Sequence, residues 1–340
     1  MYFFHGWLIL KKIVFFHRNV KCGFSINKVT QTVIREITCK KEYFVPRFGA
    51  SPLSILINIL FVFFHRDKQA INHITGDIHY CILGLIGCNS VLTIHDTVLV
   101  DFHNYPFFKK KIFEWLWYRL PIKLATHVIC ISEETKKSVQ RYTKRSDIKV
   151  IHNAVDSKFK YSPKELNLDK PRVLIIGTAP NKNLLRIFEA LENMSCFIVL
   201  IGKLNEEQRK NLNRKKIHYE NKSNLSDDEI VCEYKKCDIV SFISLYEGFG
   251  MPVIEANAVG RPVICSDIPV LREVAPNAAL FANPYDVESI KSTFLKLKND
   301  KSLCSKLIQN GLENVKRFKK EFVQKQWKET YQKMEGIYCV

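Results

Sequence analysis

A chain of 340 residues with 46% hydrophobic and 25% charged side chains has room for two ordinary domains and excludes a disordered or fibrous polypeptide. Its formal net charge of +18 favours anionic partners, and 22 of its 52 Lys and Arg, against 10 of its 34 Asp and Glu, lie before residue 156. Its 11 cysteines, odd in number and without close-pair spacing, exclude a disulfide scaffold and a zinc finger and place the chain in a reducing, cytoplasmic compartment. No apolar run approaches the about 18 residues that cross a bilayer; the longest, 53–64, is interrupted by Asn58. Met1–Leu10 is apolar but lacks a basic leader and a small-residue cleavage site, so it reads as an extra strand or a mis-assigned start, not a signal peptide.

The first half alternates between strand and helix. Lys12–His17 is a strand, and Gly23 falls in the βα turn after it, where a Rossmann-like domain meets its ligand. A helix over 26–37, a strand near Tyr43 and a helix over 52–64 follow. A strand from Ile71 runs into the polar turn Gly76-Asp77-Ile78-His79, and Val91–Ile94 is a buried strand ending on His95 and Asp96. Carboxyl ends of strands in an open α/β sheet face the ligand crevice, so His95 and Asp96 are site candidates, weighed against a histidine that merely packs. Lys109, Lys110 and Lys111 stand among Phe107, Phe108, Phe113, Trp115 and Trp117, the pattern of a surface helix mixing lysines with aromatics. It suits an anionic membrane face or a phosphorylated acceptor, against the plainer reading of a solvated surface; no nucleic-acid motif accompanies it. A strand over 127–131, a helix opened by Ser132, Glu133 and Glu134, and a strand over 149–151 lead into His152-Asn153-Ala154-Val155-Asp156.

After a polar connector at 160–170, Arg172–Gly177 reads as a buried parallel strand, and the turn beyond it carries Lys182, suited to a diphosphate. A strand over 196–202 ends at Lys203, a short one spans 216–219 with a loop at 220–222, and Ser226 with Glu229 forms a capping box. The acids of that box are read as caps, not metal ligands. The centre of the chain is 238–266: a strand over 239–244, a turn with Gly248 and Gly250, a helix begun by Pro252 and stopped by Gly260, and a strand over 262–266. The helix end offers N–H groups to an anion, while Glu247 in the turn and Glu255 in the first helical turn flank it. An anion site between two acids makes sense for a ligand with a phosphate for the helix and hydroxyls for the acids. A sugar nucleotide has both. Helices over 267–274, 286–298 and 306–331 complete the chain.

Glu247-Gly-Phe-Gly-Met-Pro-Val-Ile-Glu255 resembles the Glu-x7-Glu signature of retaining, family 4 type glycosyltransferases of the GT-B fold. Residues 152–156 resemble that family's Asn-Gly-Val-Asp crossing between domains, with Ala154 in place of glycine. The resemblance implies an α/β GT-B architecture, two Rossmann-like domains facing each other across a cleft: 1–155 on the acceptor side, 156–320 for the nucleotide sugar, and 321–340 a helix crossing back through Trp327 and Tyr331. By the same resemblance, donor-binding residues are Gly177, Lys182, Lys203, Gly248, Phe249, Gly250 and Glu255, and catalytic ones are His95, Asp96 and Glu247. Gly23, Gly76 and Asp77, with His73 and His79, are weaker acceptor-side candidates. Thr178 stands where the family often carries an arginine.

The implied reaction moves a hexose from a nucleotide sugar to a polysaccharide, lipopolysaccharide-type or lipid-linked acceptor with retained configuration. The nucleotide sugar is a substrate; no cofactor and no metal are expected, since no Asp-x-Asp pair occurs. The expected partners are that donor, the glycan or lipid-linked acceptor and an anionic membrane at its inner face. Three rivals stand against this reading. Thr178 suits a catalytically inactive GT-B-like binding protein, the basic surface suits a membrane or nucleic-acid module, and an isomerase or phosphorylase shares the fold. No lysine is placed to hold pyridoxal phosphate.

Overall fold

The computed structural model describes residues 12–22, 25–102 and 105–334. Two compact units divide the chain: Met1–Ala154 with Lys320–Val340, and Val155–Lys319.

The first unit is built on six parallel strands, β1 (Ile13–His17), β2 (Lys40–Phe44), β3 (Ile71–Ile74), β4 (Ser90–Ile94), β5 (His127–Cys130) and β6 (Lys149–Val150), in the order β2-β1-β3-β4-β5-β6. Its helices are α1 (Ser25–Ile34), α2 (Pro52–His65), α3 (Val98–Asp101), α4 (Phe107–Phe113), α5 (Leu120–Leu124) and α6 (Glu133–Gln140). A 3-10 stretch, His79–Leu85, and a π-helical stretch, Glu114–Arg119, lie among them. Successive side chains of a strand face opposite ways. Val14, Phe16, Leu92 and Ile94 therefore enter one core with α2, α5 and the 79–85 stretch, while Ile13, Phe15, Ile71 and Val91 enter another with α1 and the last helix.

The second unit carries β7 (Arg172–Ile176), β8 (Phe197–Ile201), β9 (Tyr219–Lys222), β10 (Ile239–Phe242), β11 (Val263–Ser266) and β12 (Leu280–Ala282), in the order β12-β11-β10-β7-β8-β9. All pairings are parallel. Its helices are α7 (Leu184–Ala190), α8 (Glu206–Arg214), α9 (Asp227–Lys236), α10 (Met251–Val259), α11 (Pro269–Val274), α12 (Val287–Asn299) and α13 (Lys301–Asn314). Capping boxes open α8 (Asn205, Gln208) and α9 (Ser226, Glu229), each contributing about 1 kcal/mol.

Three expectations are corrected. The strand expected at 216–219 is Tyr219–Lys222, taking in the residues read as a loop; this edge strand is half-buried and polar, so it carries no apolar alternation. The single helix expected over 306–331 is two, α13 and α14 (Lys320–Met334), separated where Val155 N donates to the Phe318 carbonyl at 2.9 Å. Glu255 sits in the second turn of α10, because the helix starts at Met251, one residue before Pro252.

Candidate nucleotide-sugar site

In the second sheet the chain leaves β7 for β8 and β9 on one side and returns to β10 on the other. Crossovers diverge at such a switch point and leave a crevice at the strands' carboxyl ends. The turns leaving β7 and β10 meet there. Leu245 N donates to the Asn181 carbonyl at 2.7 Å, Asn181 Nδ2 to the Tyr246 carbonyl at 3.1 Å, and Lys182 Nζ to Glu247 Oε1 at 2.5 Å.

Two glycines shape these turns. Gly177 has φ +91°, and a Cβ on it would lie 2.9 Å from Lys182 Cε, so the lysine stem runs where a side chain would stand. Gly250 has φ +112° and caps α10; its Cβ would fall 2.5 Å from Leu271 Cδ2. Lys182 Nζ also lies 4.7 Å from the centre of the Phe242 ring. Phe249 turns its side chain into the core against Phe318, with ring centres 5.6 Å apart, so only its backbone is suited to a ligand. Lys203 is exposed at the end of β8, and its carbonyl accepts from Thr178 Oγ1 at 2.9 Å. Thr178 thus joins the turns after β7 and β8 without supplying charge.

Glu255 emerges on the one side of α10 that is not buried. The hydroxyl of Tyr234, from α9, donates to its Oε2 at 2.6 Å. Tyr234 is fully buried, and burial first, then the neighbouring Glu255, holds its phenol well above its ordinary range. Sequence reading missed this tyrosine, since nothing in a helix repeat points across to the next helix. Asp238, by contrast, is structural: its carboxylate accepts from the amides of Arg172 and Asn167 and from Lys164.

The first sheet has its own switch point between β1 and β3. Beyond it stand Arg18, which is buried, and Asp77, which is exposed; the pair is 3.6 Å apart. Arg18 directly follows β1, a signal that sequence reading left unused. A Cβ on Gly76 would meet Arg18 at an ordinary 3.5 Å, so space does not demand glycine there. Gly23 lies outside the described residues.

His95 directly follows β4, and its Nε2 is 2.8 Å from the Thr75 carbonyl. A carbonyl only accepts, so Nε2 carries the hydrogen. Burial pushes the imidazole down to about 4, which makes it neutral near pH 7 and leaves Nδ1 as an acceptor. Asp96 Oδ1 accepts from Val98 N at 3.0 Å, opening α3. His73 is held between Tyr331 Oη at 2.8 Å and Thr93 Oγ1 at 2.7 Å, tying α14 to the sheet. His79 Nδ1 donates to the Trp117 carbonyl at 2.9 Å, a packing bond. His73, Thr75, Thr93 and His95 border one shallow depression together with His152 and Asn153 of the crossing segment. Among the described residues no group of three or more His, Cys, Asp or Glu side chains is disposed to hold a metal ion.

Two six-stranded parallel sheets, each flanked by helices and each with its polar residues gathered at a switch point, define a protein of the GT-B class. Residues 156–314 match the family model of glycosyl transferases group 1, and 41–159 match that of Glycosyltransferase Family 4; the chain belongs to the family 4 type of GT-B glycosyltransferases. It is similar to the O-antigen chain mannosyltransferase RfbU of Salmonella typhimurium, 29% identical over 62% of this chain and 61% of that one. The O-antigen chain mannosyltransferase B of Escherichia coli is 36% identical over 27% of this chain and 24% of that one. The alignments thus span about three fifths of the first relative's length and a quarter of the second's. Among solved structures, the sucrose-phosphate synthase of Thermosynechococcus elongatus superposes with a TM-score of 0.80 at 16% identity, covering 96% of this chain and all of that one. Anabaena Alr3699/HepE in complex with UDP and glucose gives 0.78 at 16% identity, covering 95% of this chain and all of that one.

Proposed function

We propose that this chain transfers a hexosyl group from a nucleotide sugar to a polysaccharide or lipopolysaccharide-type acceptor, with retention of configuration and without a metal ion. The observation that carries the reading is the junction of the β7 and β10 turns, where Lys182 and Glu247 stand beside the amino end of α10. The donor diphosphate takes the helix end and Lys182, and Glu247 and Glu255 take hydroxyls of the sugar and of the ribose. In the transfer step the bond from C1 to the diphosphate oxygen breaks and a bond from C1 to the acceptor oxygen forms. The acceptor proton passes to the departing diphosphate. His95 contributes a neutral acceptor, Nδ1, for a sugar hydroxyl. The mannosyltransferase relatives put a mannosyl donor first, and their O-antigen substrates support the acceptor class.

Thermal-shift titration with UDP-, GDP-, ADP- and CDP-sugars tests the donor reading, because a ligand of the native state raises its melting temperature. One series is expected to stabilise the chain and to lose that effect in Glu255→Gln. No shift with any of them, or a shift unchanged by Glu255→Gln, refutes it.

A further inference from the structure

Resting on the donor reading, we propose that Phe318 is a positioning residue for the diphosphate, acting through the ring of Phe249 on the backbone amides before α10. In Gly248-Phe249-Gly250 two of the three residues have no side chain, so Phe249 alone gives the triplet a side-chain anchor. Gly250 adds a left-handed backbone, φ +112°, directly before the first residue of α10. A glycine-flanked peptide has many backbone states of similar energy, whereas an anion site needs the one in which its N–H groups converge.

The front and the rear of this turn are fastened to different parts of the second unit. At the front, Leu245 N donates to the Asn181 carbonyl, Asn181 Nδ2 donates to that of Tyr246, and Glu247 pairs with Lys182, so residues 245–247 follow the turn after β7. At the rear, the buried Phe249 ring stands at 89° to that of Phe318, with centres 5.6 Å apart. An edge-to-face pair resists rotation as well as separation, because the edge of one ring is positive and the face of the other negative.

Phe318 is itself held from several directions. Val155 N donates to its carbonyl at 2.9 Å, and a parallel bridge joins Val155 to Lys319. The guanidinium of Arg317 lies 4.5 Å from the Phe318 ring centre and donates to the Val274 carbonyl at 2.9 Å, at the end of α11. Asn314 Nδ2 donates to that carbonyl and to Asn257 Oδ1 of α10, each at 3.0 Å. Val155 and Lys319 are the first and last residues of the second unit, so the ring that seats the turn stands where the chain enters and leaves that unit. A buried pair of phenylalanines is ordinarily just core. Here one of them is bonded directly to the two glycines whose amides face the ligand, with no helix or strand between to absorb a shift.

Phe318→Leu keeps the position apolar but removes the ring face, which frees Phe249 to turn and the amides to diverge. Glu255 is held separately by Tyr234, so the loss falls on phosphate and spares the nucleoside. Competition binding to the full chain of UDP, GDP, ADP and CDP, each beside its own nucleoside, measures this. For the base that wild type prefers, Phe318→Leu should weaken the diphosphate by about five-fold or more and the nucleoside by less than about two-fold. Phe249→Leu breaks the same contact from the turn and should show the same selective loss, which keeps the test open if Phe318→Leu does not fold. The double variant should lose no more than about two-fold beyond either single one. Phe294→Leu, an equally buried ring in the core with Leu184 and Ile290, is the control: its melting temperature should fall while both affinities stay within about two-fold of wild type. An unchanged diphosphate preference in folded Phe318→Leu or Phe249→Leu, or the same selective loss in Phe294→Leu, overturns the proposal and leaves the donor reading standing. A wild type that binds no diphosphate more tightly than its nucleoside overturns both.

Discussion

Replacing Tyr234 by Phe removes one oxygen from the second unit and leaves the ring in place, packed edge-on to Phe159 with centres 5.3 Å apart. The lost interaction is the 2.6 Å bond to Glu255 Oε2. A hydrogen bond to a charged group contributes about 1.5–3 kcal/mol, and water reaching the half-buried carboxylate holds the stability loss near the lower end, about 1.5 kcal/mol. The effect on ligand binding has another origin. With one of its anchors gone the carboxylate regains part of its rotamer freedom and must surrender it on contact with a hydroxyl, at most about 0.5–1.5 kcal/mol, or up to roughly two- to ten-fold in donor Kd. Calorimetric titration of the stabilising nucleotide into wild type, Tyr234→Phe, Glu255→Gln and the double variant measures this directly. The tyrosine substitution should weaken donor binding in the wild-type background and have almost no effect once Glu255 is gone. A donor Kd unchanged by Tyr234→Phe alone, or equal losses in both backgrounds, would show that Tyr234 is a core residue and not a positioning one.

Lys182→Ala should weaken a nucleoside diphosphate at least ten-fold and the bare nucleoside less than two-fold in competition binding; equal losses would remove the lysine from the phosphate. Gly250→Ala combines a left-handed backbone, about 1–2 kcal/mol, with a collision at Leu271, about 1–3 kcal/mol. Its melting temperature should fall by several degrees, and an unchanged value would contradict the turn geometry. Burial pushes His79 and His95 down to about 4 from an ordinary 6.5, and it lowers His73 well below that value. Each binds a proton more readily when unfolded, so its contribution to stability is complete above pH 6.5 and is lost as pH falls, for His79 and His95 towards 4. At pH 5 the loss is about 2 kcal/mol per histidine for His79 and His95. Calorimetry between pH 7.5 and 5 should therefore show a falling melting temperature in the first unit; a flat profile refutes the assignment.

How far the sequence could be read depended on whether a feature was local. The central βαβ unit was legible because its signals sit within a few residues of one another: an apolar strand, two glycines, a proline opening and a glycine stop. The buried strands of both sheets were legible for the same reason, as continuous apolar runs. β9 was misplaced because an edge strand has no buried face to enforce alternation. Its Glu220 and Lys222 belong to an ion-pair cluster with Arg172 and Glu233, which reads in sequence as loop polarity. The break between α13 and α14 carries no proline or glycine; a contact with Val155, far away in the chain, sets it.

The same division runs through the site. Glu247, Glu255 and Lys182 were visible as charges near strand ends, but their grouping was not. Lys182 and Glu247 were assigned to different parts of a ligand, phosphate and sugar, and the fold instead places them in one ion pair. A pair of this kind couples the two roles. Any substitution of Glu247 releases Lys182 from its partner as well as removing the proposed contact to sugar hydroxyls, so on that reading its effects on diphosphate binding and on sugar binding will not separate as the residue types alone suggest. Lys182 approaches Glu247 because Gly177 has no side chain and Asn181 fastens its turn to β10. Strand order, which brings β7 beside β10 although β8 and β9 intervene in the chain, is what makes those two short turns a single site.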